Sequence, residues 1–591
     1  MFKLVKYLKP YLKQVTLGPA FKLFEAILEL IIPLLMAKLI DNGVKANNPS
    51  YIYTIGGIMI AIAIIGAGCA YVCQYYASIA SQGFGTKMRN LLFEKVQSFS
   101  FNEIDRLGTP SLINRITSDV NQLQFAVAML IRLVVRVPFL CIGGLIMAMI
   151  INLKLSLVLL VTMPLFALVI YFIMSRTIPL YKTVQKKLDT LSTIIRENLS
   201  GVRVIRAFAR LDKERERFLK SNKEYADTAI SVGRVSALLN PATTVIVNLG
   251  IAAILWFGGI QVFEGSMTQG EIIAYINYVN LILSALIVFA NLVVTFTKAA
   301  ASANRVNEIL AIEPSIVDHT DFVESMDSAK DGVSSDFEAL TKTPIVEFRN
   351  VNFSYDSSSE YALKNISLEL ERGQMVGIIG STGSGKSTLI NLIARFYDAT
   401  EGSVYVNGIN VKAHKQKELR NKIGMVPQQS ILFSGTIKDN LKWGNEAATE
   451  DEITFAAKIA QVYEFIDKKP ERFESIVSQG GANLSGGQRQ RLAIARAAIK
   501  KPEILILDDS ASALDYATDA ALRRQLKENL KDLTVIMVTQ RVTTIRNADL
   551  IVVLDDGEIV GLGKNDYLLE TCSVYQEIYN SQEEKKVVRH K

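Results

Sequence analysis

Hydrophobic residues follow two different patterns along this chain. Before residue 300 they form long runs, and after residue 343 they form short runs separated by polar stretches. A helix needs about 20 mostly apolar residues to cross a bilayer, and each long run reaches that length. The pattern therefore predicts six membrane-spanning helices, at about residues 17–40, 51–80, 127–151, 155–175, 238–263 and 271–297.

The loops between these predicted spans differ in length and in charge. Loops 81–126 and 176–237 are long and rich in Lys and Arg, whereas the alternate loops are short and hold only Lys45 and Lys154 as basic residues. Basic residues concentrate in cytoplasmic loops, so the N-terminus, both long loops and the second half of the chain are predicted to be cytoplasmic. Helical spacing of apolar residues predicts that the long loops extend the membrane helices.

Three short segments add detail to this plan. Residues 1–10 are basic and amphipathic, which predicts a helix on the inner membrane surface. Within the long loops, Asp105–Pro110 and Arg206–Arg210 are predicted to form short turns. An ordinary surface turn is the simpler interpretation of each. We favour contact with the second half of the chain, because two such loops point towards one domain.

The composition changes after residue 312. Residues 313–343 are polar and acidic, which is typical of a linker. Over 344–580 short β-rich runs alternate with helical patterns, which predicts an α/β domain. The chain is thus divided into a transmembrane domain (1–312), the linker, the α/β domain and a basic tail (581–591). The predicted strands are Ile345–Phe353, Met375–Ile379, Ile504–Leu507, Val535–Val538 and Ile551–Leu554.

The net charge of +7 on 591 residues could by itself indicate a nucleic acid partner. Most basic residues of the first half, however, lie in loops beside apolar spans, where they mark one side of a bilayer. We therefore predict a lipid bilayer as a partner and no nucleic acid. The start of the chain lacks the pattern of a cleavable signal peptide, and Ile, Lys and Asn are abundant. These features favour a multi-pass protein of a bacterial plasma membrane.

Residues 380–387 match the phosphate-binding loop G-x-x-x-x-G-K-[ST] in full. The loop follows an apolar strand and opens a predicted helix over Lys386–Tyr397, which is the context that the motif requires. Backbone N–H groups and the helix N-terminus supply partial positive charge for phosphates. Lys386 is expected to contact the terminal phosphates, and Ser387 and Asp508 to bind Mg²⁺. The predicted nucleotide-binding residues here are Ser381, Thr382, Gly383, Ser384, Gly385, Lys386, Ser387 and Thr388.

Further motifs resemble those of ATP-binding cassette (ABC) proteins. The signature motif of that family stands at Leu484, Ser485, Gly486, Gly487 and Gln488. With six apolar spans before the cassette, the chain resembles a half-size ABC exporter of the type IV fold. The resemblance implies an α-helical six-span transmembrane domain followed by an α/β P-loop ATP-binding cassette domain, with ATP and Mg²⁺ as cofactors. It also implies that Tyr355 stacks on adenine, that Gln428 is a catalytic position and Mg²⁺ ligand, and that Ser512, Ala513, Leu514 and Asp515 form the D-loop.

Two positions depart from the family pattern. Asp509 stands where the resemblance implies a catalytic glutamate, and Gln540 stands where it implies a histidine. Aspartate is one methylene shorter, and a misplacement of about 1 Å can lower a rate on the order of 10²-fold. Glutamine can form hydrogen bonds but carries no positive charge. The parts that bind nucleotide therefore look complete, whereas two parts that hydrolyse it are altered.

In the family that the chain resembles, cassettes work as head-to-tail dimers, and each signature motif covers ATP bound by the other cassette. The chain is thus similar to the degenerate-site subunit of heterodimeric bacterial multidrug exporters. This implies a second half-transporter as partner, an amphipathic small molecule as substrate and slow hydrolysis at the site of Lys386. Two alternatives stay open: a homodimeric lipid or lipopeptide flippase, and a membrane regulator that binds ATP without pumping.

Charged residues also interrupt the first predicted span. Glu25 and Glu29 are four residues apart and share a helix face. One hypothesis is that either carboxylate faces the transport cavity and attracts cationic amphiphiles. The alternative, which we favour, is a structural ion pair with Lys22, Arg132 or Arg136.

Overall fold

The computed structural model describes residues 2–318, 343–355, 360–510, 514–529 and 532–589. The chain divides into two compact units. The first comprises the residues up to Gln97 together with Gly108–Ile312, and the second comprises Ser98–Leu107 together with the residues from Glu313 onward. The division after Ile312 falls where the composition changes. Residues 319–342 of the predicted linker lie outside the described residues.

The first unit is built from helices. A 3-10 helix over Phe2–Tyr11 buries Leu4 and Leu8, and π-helical turns occupy Leu39–Val44 and Arg115–Asp119. The α-helices of the first half of the chain are α1 (Leu12–Lys38), α2 (Pro49–Gln97), α3 (Phe101–Leu107), α4 (Thr109–Asn114), α5 (Val120–Leu133), α6 (Arg136–Ile151), α7 (Ser156–Ser200), α8 (Val202–Ala207), α9 (Leu211–Ala237), α10 (Leu239–Phe263) and α11 (Gln269–Ala311). Of these, α3 belongs to the second unit.

Five helical stretches of the described residues are long and apolar enough to cross a membrane. They are Pro49–Gln97, Thr109–Ile151, Ser156–Ser200, Leu211–Phe263 and Gln269–Ala311. Helix α1 covers the first predicted span, but four charged residues (Lys22, Glu25, Glu29 and Lys38) interrupt its apolar sequence. A transmembrane helical domain is therefore present, and the sixth span stays a prediction.

The long loops are helical, as predicted. Helix α2 continues to Gln97 and α7 continues to Ser200, both well beyond the predicted ends of their spans. Each predicted turn begins in the last residues of a short helix, α3 or α8, and continues beyond it. Gly108 follows α3 with a φ of 74°, and the turn after α8 contains Ala209 with a φ of 50°. Helix α11 lies centrally in the first unit, where the buried Tyr278 hydroxyl donates to the Leu30 carbonyl at 2.6 Å.

The second unit is an α/β domain with two main sheets. An antiparallel sheet has the strand order β2-β1-β4-β5, and a six-stranded sheet has the order β12-β11-β3-β10-β9-β6, parallel except for β12. The strands are β1 (Val346–Phe353), β2 (Leu363–Leu370), β3 (Met375–Gly380), β4 (Glu401–Val406), β5 (Ile409–Asn410), β6 (Ile423–Val426), β7 (Gly435–Thr436), β8 (Ile476–Val477), β9 (Ile504–Asp508), β10 (Thr534–Val538), β11 (Leu550–Asp555) and β12 (Glu558–Gly563).

Helices cover the six-stranded sheet and extend beyond it. They are α12 (Lys386–Ile393), α13 (Gln416–Lys422), α14 (Ile437–Lys442), α15 (Glu450–Ile459), α16 (Tyr463–Asp467), α17 (Gly486–Ala498), α18 (Tyr516–Asn529), α19 (Val542–Ile545), α20 (Asn565–Thr571) and α21 (Ser573–Arg589). Because side chains alternate along a strand, Ile504 and Ile506 enter one hydrophobic core and Leu505 and Leu507 enter the other. The backbone of the predicted basic tail continues α21 as far as Arg589.

Candidate nucleotide-binding site

The phosphate-binding loop connects β3 to α12, which confirms the predicted strand–loop–helix order. Helix α12 ends at Ile393, so the prediction of a helix to Tyr397 was too long. Glycine is required at Gly385, because its φ of 93° lies in the left-handed region and an added Cβ would lie 2.8 Å from the Ala362 carbonyl oxygen. An added Cβ at Gly380 would lie 2.1 Å from the Leu554 carbonyl oxygen. The loop can therefore pass close to its neighbours only with glycine at these positions.

Lys386 places a buried cation inside this loop. Its Nζ donates to the carbonyl oxygens of Gly380 at 3.0 Å and Ser381 at 2.5 Å. Burial lowers the pKa of Lys386, and the carboxylates of Asp508 and Asp509 oppose that shift. A partly desolvated ammonium interacts strongly with phosphate oxygens. The residue is therefore placed to hold the phosphates of a nucleotide.

A hydroxyl and a carboxylate meet beside Lys386. The Ser387 hydroxyl donates to Asp508 Oδ2 at 3.0 Å, and Asp508 is the last residue of β9. Burial raises the pKa of Asp508, the hydrogen bond from Ser387 opposes this shift, and the neighbouring Asp509 carboxylate adds to it. These oxygens fit Mg²⁺, which prefers oxygen ligands and is commonly held by one or two carboxylates together with substrate phosphates. The described residues contain no cluster of three or more His, Cys, Asp or Glu that could hold a metal by themselves.

Tyr355 presents a half-exposed aromatic ring at the mouth of the site. Its hydroxyl lies 2.9 Å from Thr388 Oγ1, and its ring lies edge-on to Phe353 at 4.8 Å and to Tyr397 at 5.2 Å between centroids. The residue is 46% exposed, so part of the ring stays available for stacking on a base.

Asp509 follows β9 in a strained conformation. Its φ of 44° is uncommon for a residue with a side chain, and its N–H donates to the Val538 carbonyl at 2.8 Å. Its carboxylate accepts a hydrogen bond from Gln428. Burial raises the pKa of Asp509, although Arg541 and Gln428 act in the opposite direction. Asp509 and Gln428, two of the predicted catalytic positions, are thus directly joined.

Gln540 is held through its backbone by the C-terminal helix α21. Gln582 Nε2 donates to the Gln540 carbonyl at 2.7 Å, and Gln582 Oε1 accepts from the Val542 N–H at 3.0 Å. One side-chain amide therefore fixes the backbone on both sides of Arg541. This contact could not be predicted from the sequence, because a polar residue on a charged helix is usually a solvated one.

Most of these residues line one cavity of about 340 Å³. Its predicted members are Tyr355, Thr382, Gly383, Gly385, Lys386, Ser387, Thr388, Gln428, Asp508, Asp509 and Gln540. Ser381 and Ser384 do not line it, and Ser384 is buried behind Lys386. Ala362, Val538 and Thr539 also line it and were missed. The last two could have been found, because Val538 ends β10 and Thr539 directly precedes Gln540.

The signature motif does not line this cavity. Ser485 caps helix α17, because its hydroxyl accepts from the Gln488 N–H at 3.3 Å while Gln488 Oε1 accepts from the Ser485 N–H at 2.9 Å. This exposed helix N-terminus is suited to phosphate oxygens. Of the predicted D-loop, Ser512 and Ala513 lie outside the described residues. Leu514 is buried, and Asp515 accepts from the Thr518 N–H at 2.9 Å.

Both carboxylates of the first predicted span take part in ion pairs. Glu25 lies 2.6 Å from Lys22 Nζ, and Glu29 lies 2.7 Å from Arg136 Nη2. Of the two hypotheses for Glu25 and Glu29, the structure therefore shows the structural ion pair for each residue. Neither carboxylate is left without a cation.

Comparison with known proteins places both units in one family. Residues 15–286 match the family described as ABC transporter transmembrane region, and residues 363–512 match the family described as ABC transporter. The chain is 37% identical over 582 residues to YfiB, an uncharacterised ABC transporter ATP-binding protein of Bacillus subtilis (strain 168), with 98% of each chain covered.

Other relatives bear more specific names. An ATP-dependent lipid A-core flippase of Syntrophus aciditrophicus (strain SB) is 31% identical, with 98% of this chain and 94% of the relative covered. YgaD of Bacillus subtilis (strain 168), named provisionally for multidrug export as an ATP-binding/permease protein, is also 31% identical, with 98% and 99% covered. A solved structure of a bacterial Atm1-family ABC exporter with ATP bound has a TM-score of 0.76 at 23% identity, with 98% of each chain covered, and it shows the shared fold.

Proposed function

This chain belongs to the ABC transporter family, and we propose that it is the degenerate-site subunit of a heterodimeric exporter of amphipathic small molecules. Its family makes it an ATP-hydrolysing transporter that uses ATP and Mg²⁺. We place it in the plasma membrane of a bacterium, because its helices fit a membrane and the relatives described above are bacterial.

The observation that carries the proposal is the composition of the cavity around Lys386. Lys386, Ser387 and Asp508, which we assign to phosphate and Mg²⁺ binding, line it. Asp509 and Gln540, which line it too, stand at the two positions expected to promote hydrolysis. The shorter Asp509 side chain is also hydrogen bonded to Gln428. A carboxylate held in this way is poorly placed to orient an attacking water, because small displacements lower rates strongly.

Two features support a dimer. The signature motif is an exposed helix N-terminus away from the chain's own cavity, so it can cover a nucleotide only on another cassette. Phe208, at the end of α8, is 73% exposed, and Trp443 is 66% exposed on the cassette. Aromatic residues are enriched in the buried centre of protein interfaces, so we assign these two positions to the contact with a partner. An intact signature beside an altered hydrolytic site favours a partner whose own glutamate and histidine are present.

A homodimeric lipid flippase is the second candidate. It is favoured by the relative that is named as a lipid A-core flippase and is 31% identical over 580 residues. In a homodimer both sites would contain Asp509 and Gln540. This candidate therefore requires that an aspartate and a glutamine hydrolyse ATP at a useful rate.

Measuring the Mg-ATPase rate of the purified chain separates the two candidates. The degenerate-site proposal predicts negligible turnover by the native chain. It predicts an increase on the order of 10²-fold for the double variant Asp509→Glu with Gln540→His, since the intact signature lets the variant form a complete homodimer.

Lys386→Ala in the double variant serves as the control and should abolish the restored rate. Dimer formation with ATP is checked by light scattering for every variant. Brisk turnover by the native chain would contradict the heterodimer and support the homodimeric pump.

A further inference from the structure

A small pocket lies in the first unit, where α1, α2 and α5 meet. Its volume is about 300 Å³, and Lys22, Ala70, Tyr71, Cys73, Gln74 and Arg132 line it. These lining residues include two cations and no carboxylate. Such a pocket is unusual among apolar helices, because ionisable groups within a membrane are rare and mark functional sites.

The charges around this pocket do not balance. Lys22 is paired with Glu25 at 2.6 Å, and Arg136 is paired with Glu29 at 2.7 Å. Arg132 has neither a hydrogen bond nor an ion pair with any other described residue. Three cations thus face two carboxylates, and the surplus positive charge lies on the one guanidinium that lines the pocket. An anion from outside the chain would complete the set.

The depth of the pocket suits a head group. Lys22 and Arg132 each lie five residues inside the predicted spans that start at residues 17 and 127. At 1.5 Å per residue this is about 8 Å from the cytoplasmic end of each span, in the outer part of a hydrocarbon core about 30 Å thick, from which a long basic side chain can reach the head groups.

We propose that this pocket binds the anionic head group of an amphiphile, with the Arg132 guanidinium as the main contact. Guanidinium groups match phosphate and carboxylate oxygens with paired hydrogen bonds, and the Gln74 amide and Tyr71 hydroxyl supply further polar contacts. The inference rests on the proposed export function, because it names the substrate class of that transporter. It also reverses the charge expected from Glu25 and Glu29, both of which are already paired.

The test is a binding measurement on the full chain in phosphatidylcholine nanodiscs. The probes are dansyl-labelled lysophosphatidylglycerol, which is anionic, and dansyl-labelled lysophosphatidylcholine with the same tail, which is zwitterionic. We expect the anionic probe to bind about tenfold more tightly, the ratio that corresponds to one additional charged contact. Inorganic phosphate is added as a competitor, because it offers the same oxyanion without a tail.

Variants show which residue causes the preference for the anionic probe. Arg132→Gln should abolish this preference, and Arg132→Lys should keep part of it. The combined change Lys22→Gln with Glu25→Gln should preserve it, because the net charge is unchanged. Lys38→Gln, at the other end of α1, is the matched control and should have no effect. Binding of trinitrophenyl-ATP shows that each variant is folded.

Equal affinity for both probes, or a preference that persists in Arg132→Gln, would overturn the proposal. Displacement by millimolar inorganic phosphate would assign the pocket to free anions and also overturn it. ATP-driven movement of the probes is measured separately in liposomes. If the chain prefers the anionic probe but moves neither probe, the proposed export function is wrong and the proposed binding site is kept. If it moves both probes at equal rates, the proposed binding site is wrong and the export function is kept.

Discussion

The Tyr397 hydroxyl donates a hydrogen bond of 2.7 Å to the Asp105 carboxylate, which joins a segment of the first long loop to the cassette. The ring of Phe101 packs against that of Phe396 at 4.8 Å in the same place. Tyr397 also lies edge-on to Tyr355, the residue expected to stack on adenine. One tyrosine therefore contacts both the loop segment and the nucleotide site.

Replacing Tyr397 with phenylalanine should loosen helix α3 without unfolding the cassette. Burial and the nearby Asp105 carboxylate raise the pKa of the Tyr397 hydroxyl, so it stays a donor at neutral pH. A hydrogen bond to a charged group contributes about 1.5–3 kcal/mol. Hydrogen exchange of the Phe101–Leu107 amides should become about tenfold faster or more, as measured by mass spectrometry.

Tyr405→Phe is the matched control for this experiment, because Tyr405 lies in β4 and stacks under Arg349 instead. It should leave exchange in α3 unchanged. Unchanged exchange in Tyr397→Phe would mean that packing of Phe101 alone holds the segment.

Asp508→Asn should stabilise the nucleotide-free cassette at neutral pH. Burial raises the pKa of Asp508, so the folded state binds this proton more tightly than the unfolded state does. The stability contribution of this carboxyl group therefore falls as pH rises above its ordinary value near 4. The variant should melt about 2 °C or more above the native chain at pH 7, with a smaller difference at pH 5.

Differential scanning fluorimetry without nucleotide or Mg²⁺ measures this effect. Asp532→Asn, an exposed change in the same domain, should leave the melting temperature unaltered. A lower melting temperature for Asp508→Asn would show that its hydrogen bond with Ser387 outweighs the burial of its charge.

Gln582 should control the order of the segment around Gln540. Its side chain bridges the Gln540 carbonyl and the Val542 N–H. Gln582→Ala removes both hydrogen bonds, and a net contribution of about 1 kcal/mol each predicts that the Val542 amide exchanges about fivefold faster. The same change should also lower the ATPase rate restored by Asp509→Glu with Gln540→His.

Gln582→Glu provides a partial control. A carboxylate keeps the acceptor for the Val542 N–H and loses the donor to Gln540, so Val542 should stay protected from exchange. If Gln582→Ala also leaves Val542 protected, the hydrogen bond is not what orders this segment.

Local signals in the sequence predicted much of the fold. The predicted strands at Met375 and Ile504 start where β3 and β9 start, because buried parallel strands are continuous apolar runs. Strand β2 was missed, since its Lys and Glu residues conceal a pattern that depends on pairing with β1.

In the candidate site, too, local sequence predicted only the residues that belong to a contiguous motif. Gly385 and Lys386 belong to a contiguous motif, so the sequence predicted them. Ala362 and Gln582 reach the site only through tertiary contacts with residues far along the chain. For Glu29, spacing alone left several cations as partners, and only the packing of α1 against α6 selects Arg136.

Trp443 should report on assembly with a partner subunit. Its ring stacks on Phe433 at 4.3 Å with an interplanar angle of 16°, and both rings are exposed on this chain. The chain has 2 tryptophans, so Trp256→Phe leaves Trp443 as the single fluorophore. Dimer formation with ATP should bury the ring, shift its emission to shorter wavelength and reduce quenching by acrylamide.

We expect the exposed end of the second long loop, at Phe208, to cover the Trp443 ring in the dimer. Phe208→Ala should therefore prevent the spectral shift, because a large aromatic contact is lost from the interface. Phe263→Ala is the matched control, since Phe263 is 94% exposed at the end of α10 and the loop that follows is predicted to lie on the opposite side of the membrane. If the Trp443 emission of both variants shifts with ATP as it does in the Trp256→Phe chain, Phe208 is not part of the dimer contact near Trp443. If the emission does not change while light scattering shows a dimer, this cassette surface lies outside the interface.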